Sequence, residues 1–189
     1  MTRYVTGRRD FLKSSLLATG GLLALPSCLK NYTAWQFFTE EEALCMSAIC
    51  EQIIPTDIYG PGAGYAGVIF YIDKQLDEVF LDDREEYREG IRLIQDSAIQ
   101  LHGMKFEALD FELQKGFLEQ MEVGENRALS AEENMQQSAL FRKMVQHTMQ
   151  GFYGSPRHGG NRNYISYRLM KLDYPYIVGQ NRYRDLKNH

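Results

Sequence analysis

Three groups of residues in this 189-residue chain have types and spacings that chemistry uses. Gly62-Ala63-Gly64-Tyr65-Ala66-Gly67 spells the Gly-x-Gly-x-x-Gly pattern that lays backbone against a dinucleotide pyrophosphate. His158 stands in the run Gly151-Phe152-Tyr153-Gly154-Ser155-Pro156-Arg157-His158-Gly159-Gly160-Asn161-Arg162, where an imidazole could move protons. Cys28, Cys45 and Cys50 are the three thiols, nucleophiles or metal ligands once ionised.

Each needs an element to position it. The dinucleotide pattern works when a buried strand delivers its glycines to a helix inside a strand-helix-strand unit. Here a capped helix and Pro55 precede it, so the glycines read as a tight turn or a close packing contact. No carboxylate or nucleophile is tied to His158 by a recognised spacing, so no catalytic, cofactor-binding or metal residue is assigned. The run from Gly151 to Arg162 holds donors and acceptors among glycines and Pro156, which argues against helix there. One reading makes Phe152, Tyr153, His158, Gly159, Gly160 and Asn161 a partner interface. A second makes the run a solvent-exposed connection whose histidine is incidental, and a third is a free-standing periplasmic enzyme or small-ligand binding protein with His158 and Asn161 in its site. His147 reads as the flank of a helix. Cys45 and Cys50, five residues apart on a helix, face different ways and lie beyond disulfide reach, so they read as buried apolar residues.

The elements are helical. Thr39 and Glu42 form a capping box that opens a helix to about Ile54, with the stripe Leu44, Ala48, Ile49 and Ile53, and Pro55 stops it. A glycine-rich turn from Thr56 to Gly67 leads to a second helix bearing Val68, Ile69, Ile72, Leu76, Val79 and Phe80. Asp83 and Glu86 cap a third, whose Tyr87, Ile91, Ile94, Ala98 and Leu101 make an amphipathic face ending at Gly103. Asp110 opens a fourth through Phe117, Leu118 and Met121 to Gly124. Ser130 with Glu133 opens a fifth bearing Leu140, Phe141, Met144, Val145, Thr148 and Phe152, closed by Gly151 and Gly154. No segment alternates with period two, so the expectation is an all-α single domain of about five helices, with an irregular glycine-rich loop and an aromatic C-terminal tail.

The first 28 residues read as an export signal rather than part of that domain. Arg8-Arg9-Asp10-Phe11-Leu12-Lys13 is a twin-arginine motif, and no charge follows until Lys30. The uncharged stretch Ser14 to Leu29 is too short to span a bilayer comfortably and contains Gly20, Gly21 and Pro26. Leu25-Pro26-Ser27-Cys28 resembles a lipoprotein cleavage box. Two outcomes stay open: a lipid on Cys28, or a soluble product cut near Ser27. The division is 1–28 signal, 29–38 linker and 39–189 helical domain. The twin-arginine route carries folded proteins, so the chain either binds something in the cytoplasm or travels with a protein that does.

The formal net charge is −4. Without residues 1–28 the balance is 17 basic against 24 acidic side chains, which argues against a nucleic-acid binder and offers no basic face for anionic lipid. The C-terminal tyrosines Tyr164, Tyr167, Tyr174, Tyr176 and Tyr183 can cover either a partner or the domain's own core.

Several runs taken together resemble the gluconate 2-dehydrogenase subunit 3 family: Ala48-Ile49-Cys50-Glu51-Gln52-Ile53-Ile54-Pro55-Thr56-Asp57, Pro61-Gly62-Ala63, Ala66-Gly67-Val68, Tyr71-Ile72-Asp73-Lys74-Gln75-Leu76, Gly151-Phe152-Tyr153-Gly154 and His158-Gly159-Gly160-Asn161. The similarity covers most of the chain after the signal, in order. Tyr167 stands where the family pattern has tryptophan, and the cysteine box at Cys28 is not a required family feature. The resemblance implies a small accessory subunit of a periplasmic or membrane-associated sugar or polyol dehydrogenase. Its partner would be an FAD-holding flavoprotein of the glucose-methanol-choline type, with a multihaem c-type cytochrome receiving the electrons. The small subunit would supply the export signal to the twin-arginine translocase and help its partner fold.

Overall fold

Helix starts are written plainly in this chain, and the computed structural model, which describes residues 35–172, places them where the capping residues lie. Helix α1, Glu40–Ile53, opens on the expected box: Thr39 Oγ1 accepts the Glu42 amide at 3.2 Å and the Glu42 carboxylate accepts the Thr39 amide at 2.7 Å. A short α2, Ala63–Ala66, lies inside the glycine-rich turn, and Gly67 in the left-handed region (φ 68°) joins it to α3, Val68–Glu78. A 3₁₀ turn, Leu81–Asp83, leads into α4, Arg84–His102, which ends on left-handed Gly103. The turn Phe106–Ala108 precedes α5, Phe111–Val123, capped by Asp110. Helix α6, Ala131–Tyr153, opens on the Ser130/Glu133 box. After the 3₁₀ turns Pro156–His158 and Arg162–Tyr164 comes α7, Ile165–Leu169. Among the described residues there is no strand, only an isolated bridge between Asp57 and Gly60. The all-α expectation stands, with its five long helices and two short ones added.

Helix α1 occupies the middle and packs against α2, α3, α4, α5 and α6. That position decides which of its residues are buried. Ala43, Cys45, Met46, Ile49 and Cys50 are inside, while Leu44 is half exposed. A central helix is covered on more than one face, so both cysteines are buried although they point differently. Both are free thiols, and burial pushes the Cys50 thiol up to about 12 although its bond to Thr148 pulls it down. Neither is an activated nucleophile.

Other expectations are corrected. Asp83 does not cap α4; its own backbone is helical, because the preceding 3₁₀ turn runs straight into the helix, and its carboxylate takes Lys143 instead. Leu101 and Val79 face solvent. The end of the linker belongs to the domain, since Phe37 and Phe38 are core residues. Gly151 to Tyr153 are the last turn of α6 rather than loop.

Candidate functional site

The chain after α6 folds back on itself by close backbone approach. Gly151 lies against Val68 and Tyr71 of α3, where an added Cβ would meet the Tyr71 ring at 2.9 Å. A Cβ on Gly160 would stand 2.2 Å from the Gly151 carbonyl oxygen, so only glycine lets these two segments touch. Asn161 closes the turn. Its Nδ2 donates to the Gly154 carbonyl at 2.8 Å and its Oδ1 accepts the Ser166 amide at 3.0 Å. Tyr167 adds a hydroxyl bond to the same Gly154 oxygen at 3.1 Å. Asn161, Asn163 and Tyr164 all have positive φ, and a tyrosine at φ 57° is a strained conformation that this bracing holds in place.

This geometry divides the expected interface residues. Phe152, Gly160 and Asn161 are buried and serve the fold, whereas Tyr153 and His158 are exposed and Gly159 is partly so. The ring of His158 accepts a bond from Arg157 Nε at 3.2 Å. With His158 exposed and both ends of the Asn161 amide bonded to backbone, at Gly154 and at Ser166 of α7, the two do not line one site.

A second construction lies beside the loop, on the first two turns of α3. Trp35 stacks on Phe70 with ring centroids 5.0 Å apart, and the Arg162 guanidinium sits 3.8 Å above the same ring. Gly67 makes room for that arginine, since a Cβ there would lie 2.5 Å from its Nε. One turn further on, the buried Asp73 carboxylate accepts three successive amides, from Gln36 at 2.7 Å, Phe37 at 3.0 Å and Phe38 at 2.9 Å. Arg88 covers Phe37, 4.4 Å from its centroid, and donates to its carbonyl. Phe70 thus joins the incoming chain to the outgoing loop. Sequence reasoning missed this junction, yet it carried a signal: Asp73 stands four residues after Ile69 and three before Leu76, a carboxylate set in the buried stripe.

His147 is a core residue, not the flank expected. It stacks on Phe80 at 4.3 Å, and its Nδ1 pairs with the Tyr87 hydroxyl at 2.8 Å. Burial lowers its pKa, with Asp83 and Glu86 opposing and Lys143 assisting. Lys143, one turn earlier, bonds Asp83 at 2.8 Å and Glu86. Among the described residues no three His, Cys, Asp or Glu side chains are grouped to hold a metal ion.

Several large apolar side chains stand in solvent. Ile58 is 92% exposed, Tyr59 83% and Tyr65 69%. Asp57 fixes the turn that projects the first two by accepting the Tyr59 amide at 2.8 Å, and Leu169 of α7 packs onto Gly60 in the same turn. A separate shallow groove of about 250 Å³ lies between α1, α5 and α6, floored by Ile53, Leu118, Phe141 and Val145. Arg8, Arg9, Phe11, Leu12 and Cys28, with Tyr174, Tyr176 and Tyr183, lie outside the described residues.

A helical domain whose buried Asp73, His147 and Asn161 are bonded into its own packing, and which raises aromatic and aliphatic side chains on a braced loop and turn, has the make-up of a subunit that docks onto another protein. The profile described as gluconate 2-dehydrogenase subunit 3 matches residues 40–173, and the chain belongs to that family. Membership makes it an accessory subunit associated with a larger dehydrogenase complex. No curated protein and no solved structure gives a significant match.

Proposed function

We propose that this chain is the small subunit of an FAD-dependent sugar or polyol dehydrogenase of the glucose-methanol-choline type, and that it escorts the flavoprotein through twin-arginine export and stabilises it afterwards. The subunit binds the folded flavoprotein in the cytoplasm and lends it Arg8 and Arg9. It then stays attached on the periplasmic side, where a c-type cytochrome takes the electrons. FAD belongs to the large subunit and haem to the cytochrome. The observation that carries this reading is the family match over residues 40–173, following a run that begins Arg8-Arg9-Asp10-Phe11-Leu12. The exposed Tyr153 and His158, with Gly159 between the braced ends of the loop, are its contact points on the partner.

Co-expression of the flavoprotein with the Arg8→Lys, Arg9→Lys double variant tests the escort role. Periplasmic flavin and dehydrogenase activity are expected to fall at least tenfold while the cytoplasmic pool of flavoprotein persists. Undiminished export with the double variant would remove the escort function and leave at most a stabilising one.

A further inference from the structure

Charge is divided along this chain in a way that its net value hides. Residues 35–133 carry 22 acidic and seven basic side chains, whereas residues 134–172 carry six basic and no acidic ones. Of those six, Lys143 is consumed by Asp83 and Glu86 inside the helix packing. Arg157, Arg162, Arg168 and Lys171 all follow α6 and all are exposed. Arg162 lies over Phe70, and Arg157 and Lys171 have no carboxylate partner among the described residues. The segment after α6 is therefore basic in an otherwise acidic domain, and the carboxylates next to it, Asp57 and Glu51, accept backbone amides of the neighbouring turn and of α2.

Ile58, Tyr59 and Tyr65, among the most exposed large apolar side chains of the domain, fall at the same end. Leu169, between Arg168 and Lys171, packs on Gly60, which places the turn bearing Ile58 and Tyr59 directly beside the basic segment. Helix α2, which carries exposed Tyr65, touches both α7 and the turn Arg162–Tyr164. Tyr167 ties α7 back to Gly154 and so to the braced loop. Fixing these groups in advance removes much of the ordering cost that association normally carries.

We infer that Ile58, Tyr59, Tyr65 and Leu169, rimmed by Arg157 and Lys171, form the docking surface for the dehydrogenase large subunit, and that they meet an apolar depression with an acidic border on it. The inference rests on the accessory-subunit reading, extends the contact from the exposed loop residues Tyr153 and His158 to this surface, and adds its chemistry. Complementarity follows from the charge division, because an acidic partner is repelled by the rest of the domain and attracted only at this end. Tyrosines flanked by arginine are the composition of a protein interface. Recruitment to anionic lipid draws instead on clusters of roughly four to eight Lys or Arg, and here the cations are dispersed among aromatic residues.

The experiment uses the full chain co-expressed with the large subunit of its own dehydrogenase, with affinity measured on the purified pair. Tyr59→Ser alters a side chain 83% exposed, and Arg157→Glu with Lys171→Glu reverses the rim. Each is expected to weaken association roughly tenfold or more, with circular dichroism of the subunit unchanged. Raising salt should weaken the wild-type pair more than the charge-reversed one. A photo-crosslinker at position 59 should label the large subunit within an acidic, apolar-centred surface. A wild-type pair that forms normally, with both variants binding as well as it does, overturns this surface and leaves the subunit reading intact. Failure of the wild-type pair to form at all would overturn that reading and this surface with it. Crosslinks from position 59 confined to a second copy of the chain, or binding to phosphatidylglycerol vesicles lost in the charge-reversed variant without any change in pairing, would likewise overturn it.

Discussion

The side chain most sensitive to its surroundings is His147. Its ring is packed against Phe80 and bonded to Tyr87, and burial holds its pKa below the ordinary 6.5. A histidine whose folded pKa is depressed binds its proton more readily when unfolded. The stability it confers is complete above pH 6.5 and is lost as pH falls below that value towards the folded pKa. Thermal denaturation between pH 7.5 and pH 5 should therefore show this group lowering stability with a slope of at most ~1.4 kcal/mol per pH unit. His147→Gln keeps an acceptor for the Tyr87 hydroxyl and cannot take the charge. The variant should be less pH-dependent than the parent across that range, and an identical pH profile would show that His147 does not titrate on unfolding. The histidine was legible in the sequence only as a position on α6. What buries it is the packing of the Phe80 turn and α4 across that helix, which no local pattern encodes.

At the scale of elements, capping residues were read correctly because their bonds are local. Thr39, Asp110 and Ser130 each satisfy amides within three residues, so their signal is complete in the sequence. Asp83 has the same type and offset but is claimed by Lys143, sixty residues away, and Leu44, placed in the apolar stripe of α1, is half exposed because enclosure on several sides buries other positions of that helix. The glycine loop shows the same limit. Its composition announced a special backbone, yet only the fold separates the members that brace it from those it displays. Asn161→Ala leaves the Ser166 amide without its bond and the Gly154 carbonyl with the Tyr167 hydroxyl alone, and should lower stability by about 1–2 kcal/mol. Tyr153→Ala, on an exposed side chain, should change stability by less than about 0.5 kcal/mol. Urea denaturation of the two variants separates bracing from display. Equal and small effects would mean that the loop does not depend on Asn161.

For the molecule as a whole, the question is whether its two ends unfold together. Helix α1 touches every other long helix, and the core is a single cluster running from Phe37 to Phe152, which favours one cooperative transition. The junction on α3 extends that unit to the first described residues, because Asp73 holds three successive amides and Phe70 meets both Trp35 and Arg162. Trp35 is the chain's one tryptophan, so its fluorescence reports this junction alone. In urea, the fluorescence transition and the loss of helical circular dichroism should coincide for the wild-type chain. Asp73→Ala orphans three amides that a carboxylate had satisfied, and is expected to cost about 3 kcal/mol at the junction. If that loss is local, the Trp35 signal will move to lower urea and leave the helical transition behind; if the junction is part of the cooperative core, both will move together. A variant in which neither signal moves would show that Asp73 does not hold the incoming chain.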